Sequence, residues 1–68
     1  MKKKRQYNIG DIIRINNTKT IGTIIDLDEE YSEEVFHIKW NDEDRGRYTA
    51  RSIGDLILSK TMIHYKVI

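Results

Sequence analysis

The chain has 68 residues, enough for one domain, and at this length folding buries only about 60% of the surface that the unfolded chain exposes. Hydrophobic residues make up 38% and charged residues 34%, with no Cys, which excludes disulfide staples and thiolate metal sites and leaves an apolar core to hold the fold. The net charge of +1 hides a segregation. Residues 1–25 carry Lys2, Lys3, Lys4, Arg5, Arg14 and Lys19 against Asp11 alone. Residues 26–44 carry Asp26, Asp28, Glu29, Glu30, Glu33, Glu34, Asp42, Glu43 and Asp44 against Lys39, and the remainder is basic again. Such a pattern makes one surface a candidate for anions and another for cations. No run approaches the roughly 18 apolar residues of a membrane span. Met1-Lys-Lys-Lys-Arg5 is not followed by the apolar stretch of a signal peptide. A cytoplasmic protein with no membrane contact is therefore expected.

After a basic tail ending near Gln6, Asn8-Ile9-Gly10-Asp11 reads as a turn into a strand over Ile12–Ile15, with Ile13 and Ile15 on one face and Arg14 opposite. Asn16-Asn17-Thr18-Lys19 is turn chemistry, because Asn tolerates positive φ. A second strand is predicted over Thr20–Asp28, and Gly22 inside it signals a bulge or a close backbone approach. Asp28–Glu34 reads as an acidic loop. Glu34–Asn41 alternates, with Phe36, Ile38 and Trp40 on one face and Val35, His37 and Lys39 on the other. Asn41-Asp42-Glu43-Asp44 turns the chain into a short strand, Arg45–Ala50, whose inward residue is Tyr48. Ser52–Ile57 breaks the alternation and suits a single helical turn or a short 3-10 turn, the latter being preferred. The last strand is placed at Lys60–Val67, with Ile63, Tyr65 and Val67 inward and His64 and Lys66 outward. Twelve Ile residues favour pleated, half-buried strands. Five short strands at near ten-residue spacing predict an all-β fold, a small five-stranded barrel over residues 7–68.

Ile9-Gly10-Asp11-Ile12-Ile13-Arg14-Ile15, Ile21-Gly22-Thr23-Ile24-Ile25-Asp26-Leu27, Val35-Phe36-His37-Ile38-Lys39-Trp40, Tyr48 and Asp55-Leu56 together resemble the SH3-like barrel of Tudor and KOW-type modules. The chain is also similar to stand-alone SH3-like proteins of phage genomes. The resemblance covers residues 7–58, with 60–68 as the closing strand, and implies a barrel. That fold hosts binders of RNA, DNA, methylated lysine and peptides, so the resemblance does not choose a function.

Two His, no Cys and no nucleophile, zinc or phosphate-loop motif leave little for catalysis. His37 and His64 fall on outward strand faces, where solvated side chains are expected. No enzyme activity, cofactor or small-molecule substrate is expected. Asp26, Asp28 and Glu30 begin like a calcium loop, but Tyr31 stands where the turn needs Gly and His37 where a bidentate Glu belongs. No metal site is therefore expected. Trp40 is read as core. Tyr31 sits among acids with no periodic reason for burial, so the sequence points to Asp28, Glu29, Glu30, Tyr31, Glu33 and Glu34 as a docking surface for a basic protein partner. The alternative is nucleic acid held by Lys2, Lys3, Lys4, Arg5, Arg45, Arg47 and Arg51, with Tyr48 stacking on a base. Arg45, Arg47 and Arg51 also have a plainer reading, as counter-charges to Asp42, Glu43 and Asp44. Without the four tail cations, acids outnumber Lys and Arg by three, which favours the protein partner and leaves the tail a weak, salt-sensitive nucleic-acid contact.

Overall fold

The computed structural model describes residues 6–67, so the tail Lys2–Arg5 lies outside the described residues. Five antiparallel strands and one helix follow in the order β1 (Ile12–Ile15), β2 (Ile21–Glu30), β3 (Glu33–Trp40), β4 (Arg45–Thr49), α1 (Ala50–Leu58) and β5 (Met62–Tyr65). They form one sheet with the spatial order β4-β3-β2-β1-β5. The all-β class and the five strands are as the sequence predicts. The barrel is not closed: β4 and β5 are the two edges. Helix α1 connects them and packs against β3, β4 and β5, filling the place where a closing strand pair would stand.

That helix replaces the expected 3-10 turn. Thr49 caps it by accepting the Ser52 N–H at 3.1 Å, and Ala50, Ile53, Leu56 and Ile57 face the core, with Ile53 fully buried. The helix stops in a Schellman arrangement, in which Lys60 N–H donates to Ile57 O and Thr61 N–H to Leu56 O. Lys60 takes the left-handed position (φ 64°) where Gly is usual.

The inner face of the sheet carries the core. Ile13, Ile24, Phe36, Ile38 and Ile53 are fully buried, with Tyr7, Trp40 and Met62 beside them. Trp40 is thus core, as the alternation of β3 implies. Gly22 is a close-approach position: a Cβ there would stand 2.5 Å from Ile38 Cγ2 and 2.6 Å from Trp40 Cε3. The bulge lies three residues further on, where the register with β3 shifts between Ile24 and Asp26. At the entry to β1, Gly10 adopts φ 99° in a turn closed by Asp11 N–H donating to Asn8 O.

The last strand is inverted relative to expectation. Met62 pairs with Ile15 and His64 with Ile13, so Met62 and His64 face inward, while Tyr65 and Val67 are 44% and 61% exposed. Because side chains alternate, a one-residue difference in register exchanges the faces. Both sets contain apolar residues here, and the partner of a buried acid decides between them (below).

Gly22→Ala is expected to destabilise the domain by about 1–3 kcal/mol through overpacking. Gly54→Ala, whose Cβ would meet only the Tyr7 hydroxyl at 3.8 Å, should be neutral or stabilising by up to about 1 kcal/mol. Urea denaturation of both variants measures the difference.

Candidate functional site

The predicted acidic loop is a β-hairpin. Strands β2 and β3 continue past the last β1 partner, Thr23, and the last β4 partner, Val35, so the end of the hairpin is a two-stranded projection. Its register places Glu29 directly opposite Glu34 and Glu30 opposite Glu33. Like charges in directly opposed positions destabilise a strand pair. Tyr31 and Ser32 form the connection, with φ of 50° and 66°. Positive φ at both central residues is the requirement of a type I′ turn, which Asn-Gly meets at low cost. A bulky side chain there costs of order 1 kcal/mol. The Tyr31 side chain is 96% exposed.

Pairing also fixes what shares the outer face. Asp26, His37 and Arg47 form one row; Asp28, Val35 and Thr49 the next; Glu30 and Glu33 the last. His37 Nε2 donates to Asp28 Oδ2 at 2.7 Å, and the Arg47 guanidinium pairs with the Glu30 carboxylate. The first pair joins neighbouring rows and the second spans the row of Val35, which is only 6% exposed although it lies on the outer face. Arg47 is therefore matched to the hairpin and not to Asp42, Glu43 or Asp44. Exposed pairs of this kind contribute about 0–1 kcal/mol each.

The structure divides the alternative nucleic-acid set. Arg45 and Arg47 share the outer face. Tyr48 opposes Phe36 on the inner face and packs edge-on against Trp40 at 6.2 Å, and Arg51 belongs to α1. Tyr48 and the two arginines of β4 thus lie on opposite sides of the sheet.

His64 is not the solvated side chain that alternation suggests. Its Nε2 donates to Asp11 Oδ2 at 2.8 Å, in a pair whose side chains are 11% and 5% exposed. Asp11 also accepts the Asn8 N–H at 3.0 Å and the Val67 N–H at 3.4 Å. Burial by itself opposes ionisation of Asp11. The His64 hydrogen bond, the two backbone donors and the attraction of His64 outweigh it and hold the carboxyl below its ordinary range. Tyr7 lies edge-on to His64 at 4.9 Å and to Phe36 at 5.7 Å, and burial raises its hydroxyl pKa. This cluster ties chain segments together. A groove of about 530 Å³ beside it, between Tyr7, Ile57 and β5, is mainly apolar. Among the described residues no three His, Asp or Glu side chains are grouped to hold a metal ion, and no helix is long and apolar enough to cross a membrane.

No family model matches the chain, and neither curated proteins nor solved structures show significant similarity to it. The geometry of the hairpin and of the sheet faces is therefore the basis for a functional reading.

A carboxyl held below its unfolded pKa stabilises the fold above that value, and the contribution is lost as pH falls through the folded pKa. The stability of the protein should accordingly decline below about pH 4. In Asp11→Asn the stability at neutral pH should be lower and the part of the acid decline due to this group absent. Chemical denaturation across pH 2–7 checks both.

Proposed function

We propose that the protein is a non-enzymatic interaction module that docks its β2–β3 hairpin onto a basic surface of a cytoplasmic protein partner. The surface comprises Asp28, Glu29, Glu30, Tyr31, Glu33 and Glu34. Tyr31 carries this reading: an aromatic side chain almost wholly in solvent, on a left-handed backbone that a smaller residue would occupy more easily. Backbone strain that folding does not need is a reason to look for function. The hairpin end also concentrates four carboxylates in two opposed pairs, of which Glu30 is matched by Arg47. A cationic partner suits that concentration of negative charge, and Tyr31 would supply an aromatic anchor with a cation–π face for Lys or Arg. An SH3-like assignment for the domain belongs to this proposal; five antiparallel strands and a helix between β4 and β5 support it.

Titrating the ¹⁵N-labelled protein with a Lys/Arg-rich peptide, and with a neutral peptide of equal length, tests the reading. Shifts confined to residues 28–34 with the basic peptide alone are expected. Equal response to the neutral peptide, or shifts elsewhere only, would sink it. The double variant Tyr31→Asn, Ser32→Gly should bind the peptide more weakly by about ten-fold or more, yet be more stable by about 1 kcal/mol. That inverse change is visible as a raised denaturation midpoint.

A further inference from the structure

Pairing across the five strands aligns Tyr65, Ile12, Thr23, Lys39 and Arg45 in a single row on the outer face. The next row, toward the β1–β2 turn, contains Ile63, Arg14 and Ile21. At roughly 4.8 Å between strands, the row runs about 19 Å along the sheet from Tyr65 to Arg45, with the other side chains between them. Lys39 and Arg45 are exposed and directly opposite one another, a like-charge pair that destabilises a sheet and that an anion lying against it would relieve. Tyr65 and Ile21 are 44% and 41% exposed. Ile12, Arg14 and Ile63 are half-buried. The acids of the same face, Asp26, Asp28, Glu30 and Glu33, occupy the rows toward the hairpin tip. One sheet face is thus acidic at the tip and carries cations over an aromatic and aliphatic floor at the other end, where the exposed turn with Asp42, Glu43 and Asp44 adjoins Arg45.

We infer that this end of the face, built from Tyr65, Arg14, Lys39 and Arg45, binds single-stranded nucleic acid. Its occupant is chosen by charge and shape. A polyanion satisfies Lys39 and Arg45, and a base can stack on the Tyr65 ring beside Ile12. A second copy seated about a two-fold axis through this end would set these cations against themselves, and a copy seated end to tip is distinguished by the sedimentation outcome below. A duplex keeps its bases stacked and offers no face to Tyr65. The surface differs from the tail, Tyr48 and Arg51 set read from the sequence, because strand pairing brings Arg14, Lys39 and Tyr65 to Arg45. It is independent of the hairpin reading, which uses none of these residues.

The test is fluorescence anisotropy of the full-length chain with labelled oligothymidine, oligouridine and a duplex of equal length, over a series of salt concentrations. Both single strands should bind more tightly than the duplex, and a preference for either sugar names the natural ligand and supports the assignment. Tyr65→Ala should weaken binding about ten-fold or more, while Tyr65→Phe retains it. Lys39→Gln and Arg45→Gln should each reduce the log–log salt slope by about 0.7. Circular dichroism confirms that each variant is folded, and the two Gln variants at exposed positions keep the test valid if Tyr65→Ala is not. The assignment is overturned if no oligonucleotide binds, or if affinity and salt slope are unchanged in the Gln variants. It is equally overturned if binding disappears only when Lys2, Lys3, Lys4 and Arg5 are all replaced by Gln. Sedimentation that shows a dimer dispersed by Arg45→Gln would assign the face to a second copy instead.

Discussion

The carboxylate of Asp11, 4% exposed, gathers three stretches of chain. It accepts the Asn8 amide from the turn that precedes β1, the His64 imidazole from β5 and the Val67 amide beyond it. The His64 imidazole, 11% exposed, would otherwise be a polar group short of a partner in a poorly hydrated place, where the cost is about 1–3 kcal/mol. The consequence propagates. His64 turned inward fixes the face of β5, so Met62 joins the core, and Tyr7 closes over the imidazole and reaches Phe36. In a domain of this size, whose total stability is of order 3–10 kcal/mol, one buried, ionised and hydrogen-bonded carboxylate of this kind is a substantial fraction of what keeps the edge strand in place.

How far the sequence discloses the structure depends on how many side chains argue for one answer. Strand β3 is unambiguous, because Phe36, Ile38 and Trp40 alternate with His37 and Lys39. Strand β5 is not, since Met62 competes with Ile63 and Tyr65 for the inner face, and the deciding contact spans 53 positions of chain to Asp11. Helix α1 is hidden for a different reason. Gly54 lies in its interior, and Lys60, not Gly, takes its left-handed stop. The hairpin is concealed by Tyr31 and Ser32, which are not turn-forming residues of the usual kind. Of the candidate surfaces, the acids and Tyr31 are visible as a run, whereas Arg14, Lys39, Arg45 and Tyr65 come together only through strand pairing.

Local rules are broken in a few places, at the two ends of the sheet. The opposed Glu pairs, Glu30–Glu33 on the outer side and Glu29–Glu34 on the inner, and a strained turn occupy one end; an opposed Lys–Arg pair and an uncovered aromatic occupy the other. The packed core between them shows no such conflicts, and among the described residues no buried side-chain polar atom lacks a hydrogen-bond partner. Sequences tend to depart from local consistency where a surface is used, and to keep it where the surface only packs. The contrast between these ends and the core follows that rule.

Asp11 has one more effect, on how the domain sits in a chain. By binding the amides of both Asn8 and Val67, it brings the entering and leaving segments to the same spot, on the side of the sheet where β1 meets β5. A domain with adjacent ends is suited to circular permutation and to insertion into a loop of a host protein. A short linker between residues 67 and 6 would suffice to join them. New ends opened in the exposed turn at Asn17 would leave the Asp11 cluster, the hairpin and the outer face intact.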